Sequence, residues 1–67
     1  MDAHAFAKAL KQRRARLGWS MRRASRVLNV NLATYARWEA ADNAPLEIAR
    51  DATLTLLDAA IRVKERP

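Results

Sequence analysis

The sequence predicts an all-α domain, and three observations predict it. Only one Gly and two Pro interrupt the chain, and no run of β-branched residues alternates with polar ones. Apolar residues recur at intervals of three and four along every extended stretch. Short polar residues that cap helices stand where those stretches begin: Asp2, Ser20 and Asn31. Sixty-seven residues, 51% of them apolar, are enough for one core, so residues 1–67 are read as one domain. A core of this size is marginal by itself, and oligomerisation is a natural supplement.

Composition removes several function classes. The chain has no cysteine, hence no disulfide framework and no thiolate metal site. No uncharged run approaches a membrane span, and no signal-peptide pattern is present, so a cytoplasmic protein is expected. His4 is the only histidine; near the terminus, it is read as a surface residue, with contact to a phosphate group the alternative. No carboxylate pair, nucleophile–base set, glycine-rich phosphate loop or metal cluster occurs. An enzyme is therefore not expected, and neither a cofactor nor a metal is implied.

The formal charge of +6 is unevenly spread. Residues 1–38 hold nine Lys/Arg against Asp2 alone, whereas residues 39–67 hold four against six acids. The basic half suits either a polyanion or a solvated, solubilising face.

The first helix runs from about Ala3 to Leu17, capped by Asp2 and ended by Gly18, which tolerates the left-handed backbone a helix end needs. Ala3, Phe6, Ala7, Leu10 and Leu17 form its apolar stripe; Lys8, Lys11, Arg13 and Arg16 lie opposite. Arg14 falls inside the stripe. A guanidinium there must find a carboxylate or snorkel to water, and the spacing predicts a pair with Glu39.

Ser20 caps a second helix, Met21 to Leu28, with Met21, Ala24, Ser25 and Leu28 on one face and Arg22, Arg23 and Arg26 on the other. Asn29 suits a left-handed turn residue, and Val30 plugs the turn. Asn31 caps a third helix from Leu32 to about Ala40. Tyr35, Trp38 and Glu39 point one way. Ala33, Ala36, Arg37 and Ala40 point the other, flanked by Thr34. An outward face of small residues with one arginine fits a helix lodged in a DNA groove, where alanine touches a thymine methyl and Arg37 forks onto guanine. Equally, alanine fills exposed sites simply because it favours helix.

Pro45 precedes a last helix, about 46–64, with a possible break near Thr53, Leu54 and Thr55. Its apolar arc covers more than half the circumference. Leu46, Ala49, Leu56 and Ala60 are taken as the intrachain face. Leu54, Leu57 and Ile61 form a second rim, expected to meet a partner in a homodimer; the bland alternative is a monomer with an apolar flank. The tail from Arg62 to Pro67 is charged and frayed.

Residues 20–40 resemble the helix-turn-helix of the phage-repressor/Cro type, the XRE family. Ser25 stands where that family usually has Ala, and Asn29 where it has Gly. Val30 is the apolar turn residue, Tyr35 and Trp38 are the core positions, and Glu39 is the family's Glu. Leu10, Arg14, Leu17, Gly18 and Ser20 match its first helix. Asn43, Ala44 and Pro45 match the following loop, so the likeness spans about residues 6–60. Met21 departs where a phosphate-binding Gln is common, as do Leu32 and Ala33 where polar base readers are common.

The resemblance implies a compact four- to five-helix, lambda-repressor-like domain with its recognition helix in the major groove. Asn31, Leu32, Ala33, Thr34 and Arg37 would face bases. Ser20, Met21, Arg22, Arg23 and Asn43 would meet phosphates, and Arg14 and Glu39 would form the structural ion pair. The expected function is a sequence-specific transcriptional regulator, a repressor or autorepressor of phage or plasmid type, binding an inverted repeat of double-stranded DNA as a homodimer. Two other readings stand beside it. One is an antitoxin-like module whose C-terminal helix holds a different protein. The other is a basic amphipathic membrane binder using Trp19 and Trp38, which the core-facing Trp38 and the well-defined caps disfavour.

Overall fold

The computed structural model describes residues 1–67 as four helices: α1 (Ala3–Leu17), α2 (Met21–Val27), α3 (Leu32–Glu39) and α4 (Glu47–Lys64). It contains no strand. α1 is the hub; it packs against α4 on one side and α3 on the other, and α2 packs against α3. The core comprises Phe6, Leu10, Leu17, Ala24, Tyr35, Trp38, Leu54, Leu57 and Ile61. Its aromatic end is built edge to face, with Phe6 and Trp38 ring centres 5.9 Å apart at 71°.

Local chemistry explains the boundaries. Asp2 accepts a hydrogen bond from the Ala5 amide at 2.8 Å, Ser20 one from Arg23 at 3.1 Å and Asn31 one from Thr34 at 2.8 Å. Each satisfies an amide left free in the first helical turn.

The first three helices also end alike. Gly18, Asn29 and Ala41 have φ of 70°, 58° and 61°. In each case the left-handed residue and its successor donate back to two carbonyls of the last turn: Gly18 and Trp19 to Ala15 and Arg14, Asn29 and Val30 to Arg26 and Ser25, Ala41 and Asp42 to Trp38 and Arg37. This paired closure folds the chain sharply away from the helix axis. Gly18 and Asn29 are suited to it; Ala41 takes the same conformation against the repulsion of its own Cβ.

α4 differs from the sequence-based expectation in three ways. It begins at Glu47 after Leu46, which offers no side-chain cap. It runs without a break through Thr53, whose hydroxyl donates to the Ala49 carbonyl at 2.7 Å. And its inward face is the other one. Leu54, Leu57 and Ile61 are 5%, 0% and 6% exposed, whereas Leu46 and Leu56 are 79% and 49% exposed. The assignment of Leu54, Leu57 and Ile61 to a partner-facing rim is therefore corrected: they belong to the chain's own core.

Three large side chains on the observed face bury more apolar area than two leucines and two alanines on the other, and polar contacts that periodicity does not reveal accompany it. Arg13 on α1 donates through Nε and Nη2 to Asp58 at 2.8 and 3.3 Å. Arg16 grips Glu65 at 2.8 and 2.7 Å. Lys64 Nζ donates to the Arg16 carbonyl at 2.7 Å. These contacts fit the rotation that turns Leu54, Leu57 and Ile61 onto α1, but as partly exposed pairs they add little to what burial supplies. Ala60, placed inward by the sequence, does pack at the margin of this core.

Candidate nucleic-acid interface

α2 and α3 are joined by a turn of four residues, Leu28 to Asn31. Ser25 is buried at their crossing, and its hydroxyl donates to the Arg22 carbonyl at 2.8 Å. A small side chain there lets the two helices approach closely, and its hydroxyl leaves no unsatisfied polar atom inside.

The pair is held to α1 by one bidentate bridge. Arg14 Nε donates to Glu39 Oε2 at 2.6 Å and Nη2 to Oε1 at 3.0 Å, while Nη1 donates to the Trp19 carbonyl at 3.1 Å. One guanidinium thus ties the end of α3 to α1 and to the loop that launches α2. Glu39 is buried. Burial alone would raise its carboxyl pKa, but hydrogen bonding from Arg14, aided by the nearby Tyr35, outweighs that and holds it below the usual glutamate value. The hydrogen bond to Glu39 in turn raises the Arg14 pKa. Desolvation, and then Glu39, push the Tyr35 phenol upward. Its hydroxyl lies near the pair but meets no partner at hydrogen-bonding geometry.

With α3 so fixed, Tyr35 and Trp38 face inward and the opposite side faces solvent. Asn31, Ala33 and Arg37 are exposed; Leu32 and Thr34 are half-buried. Ala36, grouped with the outward face by spacing, is half-buried too. The Asn31 carbonyl oxygen is occupied by the cap, so only its NH₂ group is free to donate outward. Ser20, Met21, Arg22 and Arg23 are all exposed at the start of α2. Arg23 lies over the Trp19 ring at 5.2 Å, a stacking contact that restrains the guanidinium without neutralising it. Asn43 is exposed in the loop after α3, its Oδ1 accepting from the Ala44 amide at 2.9 Å, which again leaves the NH₂ outward.

The basic half divides into two groups. Arg13, Arg14 and Arg16 are neutralised by carboxylates. Lys8, Lys11, Arg22, Arg23, Arg26 and Arg37 make no ion pair and are exposed. The trio on α1 therefore serves the fold, and what stays unpaired in the basic half lies on α2, α3 and the exposed side of α1. Sequence periodicity identifies Arg14 as structural, but Arg13 and Arg16 look like free surface charge until their partners from α4 arrive. No cluster of three or more His, Cys, Asp or Glu is arranged to hold a metal.

Two short helices crossing tightly, the second with a solvent-facing side of small residues and the first opening onto exposed arginines, define a helix-turn-helix. A family model described as "Helix-turn-helix" matches residues 10–56, and the chain belongs to that family, in its XRE branch. It is accordingly a DNA-binding transcription regulator of XRE type, a regulatory rather than an enzymatic family. The comparisons with curated proteins and with solved structures returned no match. No helix is long and apolar enough to cross a membrane.

Proposed function

We propose that this regulator is a repressor, most simply of its own promoter, that binds an inverted-repeat operator as a homodimer and acts by occlusion in the cytoplasm. The observation that carries this reading is the unpaired, exposed Arg37 on a face otherwise made of small residues. A helix with short side chains reaches deep into a major groove, and one arginine there forks onto a guanine. Asn31, Leu32, Ala33 and Thr34 read the neighbouring base edges, Leu32 and Ala33 by apolar contact with thymine methyls. Ser20, Met21, Arg22 and Arg23 sit against phosphates at the start of α2, with the Asn43 amide on the next phosphate. Their role is to set register, and Arg37 sets sequence preference.

The test is selection of bound duplexes from a random library at two salt concentrations. An enriched inverted repeat, its half-sites about one helical turn apart, is expected. Salt-sensitive binding with no enriched motif would overturn the sequence-specific reading. The exposed apolar side of α4 also suits an antitoxin-like role in which a different protein docks there; a purified chain that stays monomeric, free and on DNA, would favour that reading.

A further inference from the structure

The reversal of α4 exposes a face with a pattern of its own. Ile48, Ala52, Leu56, Ala59 and Val63 follow at intervals of four, four, three and four. Ile48, Leu56 and Val63 are 86%, 49% and 65% exposed, Ala52 is exposed and Ala59 half-buried. The stripe spans about 22 Å of helix. Its order is palindromic in size: large, small, large, small, large. It is flanked by Asp51 near one end and Arg62 near the other, and neither makes a side-chain hydrogen bond or ion pair within the chain.

We infer that this face docks a second copy of the chain, with the two α4 helices antiparallel and a two-fold axis at Leu56. The proposal rests on the dimer reading above and specifies its contact. Under that symmetry Leu56 meets Leu56, Ala52 meets Ala59 and Ile48 meets Val63, so large residues flank the close approaches that alanine permits. Asp51 then faces Arg62 twice, once on each side of the axis. Both residues lie on one flank of the stripe, so a parallel arrangement would carry the partner's copies to the opposite flank and leave all four unpaired. The charge pattern therefore selects the antiparallel pair. It also disfavours a lipid surface, because α4 carries three acids and three bases and lacks the basic face such a surface attracts. Five apolar residues a side make a small interface, so self-association is on the order of micromolar, strengthened when two half-sites hold both copies.

The experiment is sedimentation equilibrium of the full chain, with thermal melts as a folding control. Leu56→Glu alters an exposed position and sets two carboxylates against each other at the axis. It is expected to weaken the dimer by more than about thirtyfold, with the helical content retained. Asp51→Arg is expected to weaken it by about threefold to tenfold, and the double variant Asp51→Arg/Arg62→Asp to restore it. A dimer indifferent to Leu56→Glu, or a double variant no better than the single, would overturn this interface while leaving a dimeric regulator intact. A chain that is monomeric in solution and occupies operators one copy at a time would overturn both.

Discussion

Arg14 and Glu39 show how a charged residue inside an apolar stripe becomes a fold determinant. Neither is near the other in sequence, and both would be costly in a core alone. Together they close a bidentate bridge that sets the position of α3 against α1. Arg14→Ala is expected to remove about 2–3 kcal/mol from the unfolding free energy, because it leaves a buried carboxylate unpaired. Against a typical total of about 3–10 kcal/mol for a chain of this length, that is about a fifth of the stability or more. The pair also fixes the response to acid. The Glu39 pKa is lower in the folded chain than its ordinary value of 4.5, so the unfolded chain takes up its proton first as pH falls. The stabilisation is complete above about pH 4.5 and is lost as pH drops through the lower folded value. Urea titrations at pH 7 and pH 3 should show the gap between wild type and Glu39→Gln shrinking in acid; a gap that stayed constant would mean the bridge is not ionic in effect. Ala41 is the opposite case, a residue whose type works against its conformation. Its φ of 61° costs an L-residue about 1 kcal/mol or more. Glycine removes that repulsion and returns part of it as unfolded-state entropy. Ala41→Gly is expected to stabilise by about 0.5 kcal/mol, measured by the same titrations.

At the scale of the elements, the sequence was legible where side-chain chemistry is local and silent where it is distant. The caps at Asp2, Ser20 and Asn31, the left-handed ends at Gly18 and Asn29, and the inward Tyr35 and Trp38 all follow from residues within a turn of each other. The left-handed end at Ala41 carries no such mark, because alanine there signals only more helix. The rotation of α4 was hidden for another reason. Its apolar arc is too wide for periodicity to select a face, and the polar partners that mark the inward side, Arg13 and Arg16, stand some 45 residues or more away from Asp58 and Glu65. The two faces differ sharply in what truncation should cost. Leu57 is wholly buried, so Leu57→Ala should destabilise by about 2–5 kcal/mol through lost burial and the cavity left behind. Leu46 stands 79% exposed just before the helix, so Leu46→Ala should stay within about 0.5 kcal/mol. Equal losses at both positions, read from denaturant midpoints, would return α4 to the rotation its periodicity first suggested.

Over the whole molecule, the charge separation is sharper than the sequence count implies. Nine basic residues precede Glu39, but three of them are held by carboxylates, and what remains free is disposed around the helix-turn-helix. A duplex senses only the uncompensated charges, each phosphate neutralised releasing counterions and adding about 0.9 to the slope of log K against log salt. Arg22 and Arg23 at the start of α2, with contributions from Lys8, Lys11 and Arg26, give an expected slope of about −2 to −4 per protomer. The members of this set then separate by role. Arg22→Ala should weaken binding to every duplex alike and flatten the slope by about 1, the signature of a lost phosphate contact. Arg37→Ala should cost about 1–3 kcal/mol on the preferred operator and much less on unrelated duplexes, relaxing preference at one base pair. Arg16→Gln should leave the slope unchanged, because its guanidinium is already bound to Glu65 and releases no counterion from DNA. Fluorescence anisotropy across a salt series, on operator and scrambled duplexes, reads all three. A slope that fell as much for Arg16→Gln as for Arg22→Ala would show that DNA meets the α1–α4 side of the molecule, and would move the interface off the helix-turn-helix altogether.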